Sequence, residues 1–239
     1  MRRSQKLSYM IFPIGDDQVK GGYFPLFSYA FIVFNVAIFI YQLSMPLNMQ
    51  EVFVYTYGSI PSEIVRGEDW FTLFTSMFLH GGWMHLIGNM LFLWVFADNI
   101  EATIGSFRFL IFYILGGLAA HAAHIYFNFN SDIVTVGASG AISAVMGAYL
   151  VMFPTSKVKI WAFIIFFFRV PAILFLGIWI WQQSVSGMAS LEVTTAETAG
   201  VAWWAHIGGF VFGVIAGIYY RTNYKKPPSR SVYTDSGYV

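Results

Sequence analysis

Four polar residues lie within long apolar stretches of this chain. His85 and Asn89 follow His80-Gly81-Gly82 and are four residues apart, so on a helix they stack on one face. Ser139 lies in Gly137-Ala138-Ser139-Gly140, and His206 in Trp203-Trp204-Ala205-His206. A serine hydroxyl attacks a carbonyl only when a base takes its proton, and imidazole is the side chain suited to that near neutral pH. A second imidazole, an amide and backbone N–H groups are the usual partners of a developing oxyanion. No carboxylate accompanies these residues: Asp98 and Glu101 lie farther along the chain from Asn89, and Asp132 is in a loop. The pattern therefore predicts a Ser–His dyad whose imidazole is oriented by packing rather than by an acid. A plainer reading stands beside it. Small residues in membrane helices mostly serve packing, and a lone intramembrane histidine is more often a structural hydrogen-bonder. What favours catalysis is the conjunction of three such clusters, and from the residues alone both readings remain open.

The elements that must hold these residues are membrane helices. Of 239 residues, 57% are hydrophobic and only 10% charged, against roughly 25% charged in soluble domains. Apolar runs of about span length recur at 26–45, 83–100, 106–127, 135–153, 170–187 and 201–220. The expected fold is an all-α membrane protein, a six-helix bundle over residues 26–220. A cytoplasmic N-terminal tail (1–25) and a flexible cytoplasmic C-terminal tail (221–239) flank it. Arg169 and Pro171 set the start of the fifth span. Carrying a helix through Arg169 would cost about 2.5–3.5 kcal/mol on insertion scales. Starting at Val170 leaves Arg169 at the interface and Pro171 in the first helical turn, with Ile160 to Phe168 as an interfacial segment. Arg108, Lys157, Lys159, Arg169 and both basic tails then fall on the cytoplasmic side and only Arg66 outside, as the positive-inside rule requires.

In this topology spans two, four and six run in the same direction. His85, Asn89, Ser139 and His206 then lie at similar depth, roughly 5–10 Å below the outer interface at about 1.5 Å per residue. Gly209, Gly213 and Gly217 make a small-residue face on span six, and Ser139, Ser143 and Gly147 a matching stripe on span four. If the two faces meet in close backbone contact, the imidazole of His206 reaches the Ser139 hydroxyl.

Other chemistries find little support. A net charge of +1 gives no basic field for nucleic acid, and the lack of cysteine rules out a disulfide framework. His121 and His124 are three apart without a third ligand, so an interfacial polar role is favoured over a metal site. No His-Glu-x-x-His motif and no intraspan aspartate pair occurs, and a transporter's midplane charges or inverted repeats are missing. Leu73, Phe74, Met77 and Phe78 are expected to form a half-submerged packing surface. The segment from Met188 to Ala199 is either a plain connection or a cap over the site.

At these residues the sequence resembles the rhomboid intramembrane serine proteases over roughly residues 50–220, in the basic six-span prokaryotic form. The motifs are His80-x4-His85-x3-Asn89, Gly137-Ala138-Ser139-Gly140 and Ala205-His206-x2-Gly209-x3-Gly213. The resemblance implies Ser139 as nucleophile and His206 as its base. It implies His85 and Asn89 as oxyanion or substrate-binding residues, Gly137 beside the site, Glu101 as a structural carboxylate, and the cap reading of the fifth loop. Two positions depart from the pattern. Trp70-Phe71-Thr72 stands where many members have Trp-Arg. Ser143 stands where some have a tyrosine stacked on the imidazole, which leaves Trp203 or Trp204 to orient His206. The implied function is endoproteolysis in or beside the transmembrane segments of other membrane proteins, without metal or organic cofactor. The expected setting is a prokaryotic plasma membrane with both termini cytoplasmic. The alternative is a non-catalytic rhomboid-like binder of membrane helices, which has no need of both Ser139 and His206.

Overall fold

The computed structural model describes residues 11–19, 21–162, 166–192 and 201–224. A short strand β1 (Ile11–Gly15) precedes α1 (Leu26–Leu43), followed by α2 (Leu47–Tyr57), α3 (Pro61–Val65), α4 (Thr72–Thr75) and a 3-10 turn at Ser76–Phe78. Then come α5 (Trp83–Ile104), α6 (Ser106–Phe127), α7 (Ser139–Met152), β2 (Lys157–Ala162), β3 (Phe166–Pro171), α8 (Ala172–Glu192) and α9 (Trp203–Asn223). The protein is mostly helical. Among the described residues α1, α6, α8 and α9 are long and apolar enough to cross a membrane, with mean hydropathy of 1.2 to 1.9 over their best windows.

The centre of the bundle is α7. Its residues from Gly140 to Tyr149 are all buried, because helices flank it closely. The tightest approach is to α9: a Cβ on Gly209 would overlap the Gly140 carbonyl, and one on Gly213 the Ala144 carbonyl. The α7 face that meets α9 thus comprises Gly140, Ala144 and Ala148 together with Gly147, where a Cβ would overlap the Phe210 carbonyl, and Ser143 beside Gly209. It includes the predicted Ser139–Ser143–Gly147 stripe and is wider than it by Gly140, Ala144 and Ala148. Between α5 and α6 the chain reverses through the single residue Gly105, whose φ of +86° few other residues adopt.

The strands correct the all-helical expectation. β1, β2 and β3 form one antiparallel sheet in that order, with Ile11 opposite Ala162, Pro13 opposite Ile160, and Lys159 opposite Arg169. The described residues of the segment read as interfacial, 160–162 and 166–168, are therefore paired strands, and residues 163–165 lie outside the described residues. The signal was period-2 alternation in Lys157-Val158-Lys159-Ile160, with Val158 and Ile160 buried and both lysines exposed. Pro13 is tolerated because β1 is an edge strand. Pro171 ends β3 instead of lying in the first turn of the fifth span, and α8 begins at Ala172. Arg169 stays outside that helix, 3.5 Å from the carboxylate of Asp17.

Beneath the sheet lies a buried polar knot. The Asp16 carboxylate accepts from the Tyr149 hydroxyl and from Asn99 Nδ2 (2.6 Å). Asn99 Oδ1 accepts from the Val19 N–H at 2.6 Å. Burial pushes the Asp16 carboxyl above its ordinary value despite these donors. Glu101, fully buried, accepts from the N–H groups of Phe27 (2.9 Å) and Ser28 (2.7 Å) and from the Ser28 hydroxyl (2.7 Å). It supplies the cap that the sequence of α1 lacks, since the first amides of a helix have no partner within it.

Candidate active site

Three helix beginnings and one loop converge at the end of the bundle away from the sheet. Ser139 is the first residue of α7, His206 lies in the first turn of α9, and His85 and Asn89 lie one turn apart near the start of α5. The close α7–α9 approach brings His206 to Ser139: Nε2 lies 2.8 Å from Oγ. Ser143, one turn deeper, is fully buried and donates instead to the Ser139 carbonyl at 2.6 Å.

Gly137 shapes the other side. Its φ of +127° suits only glycine, and a Cβ there would lie 2.7 Å from His85 Nε2 and 3.6 Å from Asn89 Nδ2. Its N–H donates to the Ser76 carbonyl at 2.9 Å, which ties the loop to the 3-10 turn. His85, Asn89 and Gly137 therefore surround the N-terminus of α7. Asn89 Nδ2 is buried and has no hydrogen-bond partner. Such a group costs about 1–3 kcal/mol, and here it is a donor left unpaired beside a nucleophile. The unsatisfied amides that open any helix add donors at the same place.

His85, Asn89, Ser139 and His206 line one cavity of about 890 Å³ together with Trp179 and Trp203. Its volume accommodates a peptide segment and water.

The imidazole is held more firmly than expected. Instead of packing alone, a hydrogen bond fixes it: His206 Nδ1 lies 2.7 Å from Oε1 of Gln183 on α8. Trp203 meets the ring edge-on at 6.4 Å, and Trp179 lies tilted at 5.8 Å. Trp204 does not orient it; it stacks on Phe127 at 3.6 Å. Neither Gln183 nor Trp179 was singled out from the sequence. The signal was present in Gln182-Gln183, two amides in an apolar span that the rule for intramembrane polar residues covers.

Other residues find separate places. Glu101, Gly209 and Gly213 do not reach the cavity; they cap α1 and allow the α7–α9 contact. His121 Nε2 pairs with the Ser76 hydroxyl (3.1 Å) and His124 Nε2 with that of Thr135 (3.0 Å). Met77 and Phe78 are buried whereas Phe74 is exposed, so the expected half-submerged surface divides residue by residue. Met188 to Glu192 continue α8, while residues 193–200, on which the cap reading depends, lie outside the described residues.

Residues 67–223 match the Rhomboid domain. The chain is similar to the rhomboid protease AarA of Providencia stuartii, with 28% identity over 79% of this chain and 70% of that protein. It is similar to the rhomboid protease GluP of Bacillus subtilis, with 32% identity over 53% of this chain and 24% of that protein. A third relative is the mitochondrial Rhomboid protein 1 of Saccharomyces cerevisiae, with 28% identity over 84% of this chain and 55% of that protein. The chain thus spans well under two thirds of the last two. Relatives from bacteria and from a mitochondrion leave the expected prokaryotic membrane unselected.

Proposed function

The chain belongs to the rhomboid family of serine proteases, and from that premise we propose that it is an intramembrane endopeptidase working through Ser139 and His206. Its substrates are single-span or other transmembrane proteins, cut within or beside a membrane segment. The observation that carries this reading is the 2.8 Å contact between His206 Nε2 and Ser139 Oγ in an open cavity.

His206 takes the hydroxyl proton as Ser139 attacks the substrate carbonyl. The oxyanion meets Asn89 Nδ2, whose hydrogen-bonding capacity is unspent, together with His85 and backbone N–H groups at the start of α7. Collapse expels the amine, which leaves with the proton from His206, and an acyl-enzyme remains on Ser139. Water then repeats the sequence with His206 again as base and acid. Side chains of this chain suffice for each proton transfer.

The short central helix supports a site below the membrane surface. Fourteen residues in α7 give about 21 Å at 1.5 Å per residue, against a hydrocarbon core of about 30 Å. With α7 inside the bilayer, its N-terminus lies beneath the outer surface, and the cavity supplies water there. Six spans over residues 26–220 (α1, α5, α6, α7, α8 and α9) put the sheet end and both tails on the cytoplasmic side. Arg108, Lys157, Lys159 and Arg169 support that orientation. A prokaryotic plasma membrane is the setting we favour.

Incubation of the purified full chain with a model single-span substrate tests the activity directly. Cleavage by wild type and none by Ser139→Ala is expected, and equal cleavage by both overturns the assignment. A fluorophosphonate tests the nucleophile without a known substrate: the adduct is expected on Ser139. An adduct on Ser143, or labelling of Ser139 that survives His206→Ala, overturns the dyad.

A further inference from the structure

Gln183 is 6% exposed and projects from α8 onto the imidazole of His206. An amide oxygen can only accept, so the proton on that edge of the ring belongs on Nδ1. The lone pair is then on Nε2, the nitrogen that faces Ser139 Oγ. We propose that Gln183 is a positioning residue that selects the reactive tautomer of His206, extending the dyad to a relay of Ser139, His206 and Gln183. The inference rests on the roles of Ser139 and His206 proposed above.

The relay differs in kind from one that ends in an acid. A carboxylate at this position would be a charge lodged beside apolar helices, expensive unless fully paired. It would also favour the imidazolium over the neutral base. An amide fixes ring orientation and tautomer while leaving the ring free to be neutral before attack and cationic after it. Among the described residues the other titratable groups that act on His206 are His85 from α5 and His124 from α6, and neither is an acid. Trp179, one turn before Gln183 on α8, leans on the same ring at 5.8 Å. Together they leave the ring little freedom to flip, and a flipped ring would turn Cε1–H, a carbon without a lone pair, toward Ser139 and halt the reaction.

The test uses the full chain and compares wild type, Gln183→Met and Gln183→Glu. Fluorophosphonate labelling of Ser139 is followed against pH, and kcat and KM are measured on the model single-span substrate. In Gln183→Met the maximal labelling rate and kcat should fall about tenfold or more, since the wrong tautomer becomes accessible, with KM within about twofold. Gln183→Glu restores an acceptor and should recover most of the rate at high pH, with the acid limb displaced to higher pH by the added charge. Labelled-histidine nitrogen spectra should show Nδ1–H and bare Nε2 in wild type. Wild-type rates in Gln183→Met overturn the inference, as does an acid limb of Gln183→Glu that coincides with that of wild type. If Gln183→Met does not fold, the limb of Gln183→Glu and the wild-type nitrogen signature decide. Labelling that persists in His206→Ala overturns the dyad itself, whereas labelling lost there but unmoved by both Gln183 variants overturns this inference alone.

Discussion

On α5, Asn89 and Glu101 are both buried, twelve residues apart, or about 18 Å along the axis. Glu101 is met by three donors, all from the start of α1. Asn89 Nδ2 is met by none. The sheet end of the bundle consumes its polar capacity internally, as buried groups in folded proteins normally do. The cavity end leaves capacity open, and that open capacity is what a transition state can use. Burial of a polar residue in a membrane bundle is therefore not by itself a mark of function. The mark is burial without satisfaction, next to a nucleophile.

The contrast predicts that substitutions at the cavity end should cost activity with little stability, and those at the sheet end the reverse. The largest effect is expected from Ser139→Ala or His206→Ala. Each should lower kcat by about a thousandfold or more, with the double variant scarcely worse, because the two act as a unit. Thermal unfolding should change little; a large loss of stability in Ser139→Ala would break the contrast.

Asn89→Ala should come next, with kcat down about tenfold to a hundredfold and KM nearly unchanged, since the amide meets charge only in the transition state. An effect confined to KM would reassign Asn89 to substrate positioning. At the other end, Glu101→Ala strands two backbone donors and a hydroxyl. It should destabilise the fold by about 2–3 kcal/mol, while the folded fraction keeps wild-type kcat. Loss of kcat in correctly folded Glu101→Ala would merge two regions that are separated here.

The smallest effect concerns Asp16, whose carboxyl is pushed up by burial. A raised folded-state value means the native protein binds that proton more readily than the unfolded chain. Its contribution is then most favourable below the unfolded value and is lost as pH rises through the folded one. Denaturation of wild type and Asp16→Asn compared over descending pH should shift modestly in favour of wild type. A shift the other way would mean that the donors around Asp16 outweigh its desolvation.

The candidate site was more legible in the sequence than the fold. His85, Asn89, Ser139 and His206 stand out because polar residues are scarce in apolar helices, and three clusters near three helix beginnings are hard to assign to packing. Gln183 was not seen, because an amide near the end of a span reads equally well as interfacial. Only the meeting of α8 with α9 gives it a partner. The sheet escaped for another reason. Pairing of Ile11 with Ala162 joins residues that no local pattern connects, and the alternation in Lys157 to Ile160 is too short to outweigh its helical surroundings. Glu101 was placed by resemblance, but its work as a cap for α1 emerges only from three-dimensional contact.

Strand β1 is made early, and the strand it pairs with is made late. Ile11 leaves the ribosome about 150 residues before Ala162; at about 5–20 residues per second that is roughly 8–30 s. In that interval α1, α5, α6 and α7 are made while β1 has no neighbour to accept its hydrogen bonds. Its closure is a contact of very high sequence separation, the kind that slows folding. The clasp at the sheet end can thus form only after α5 and α7, which carry His85, Asn89 and Ser139, have been synthesised, whereas α8 with Gln183 and α9 with His206 are made after it.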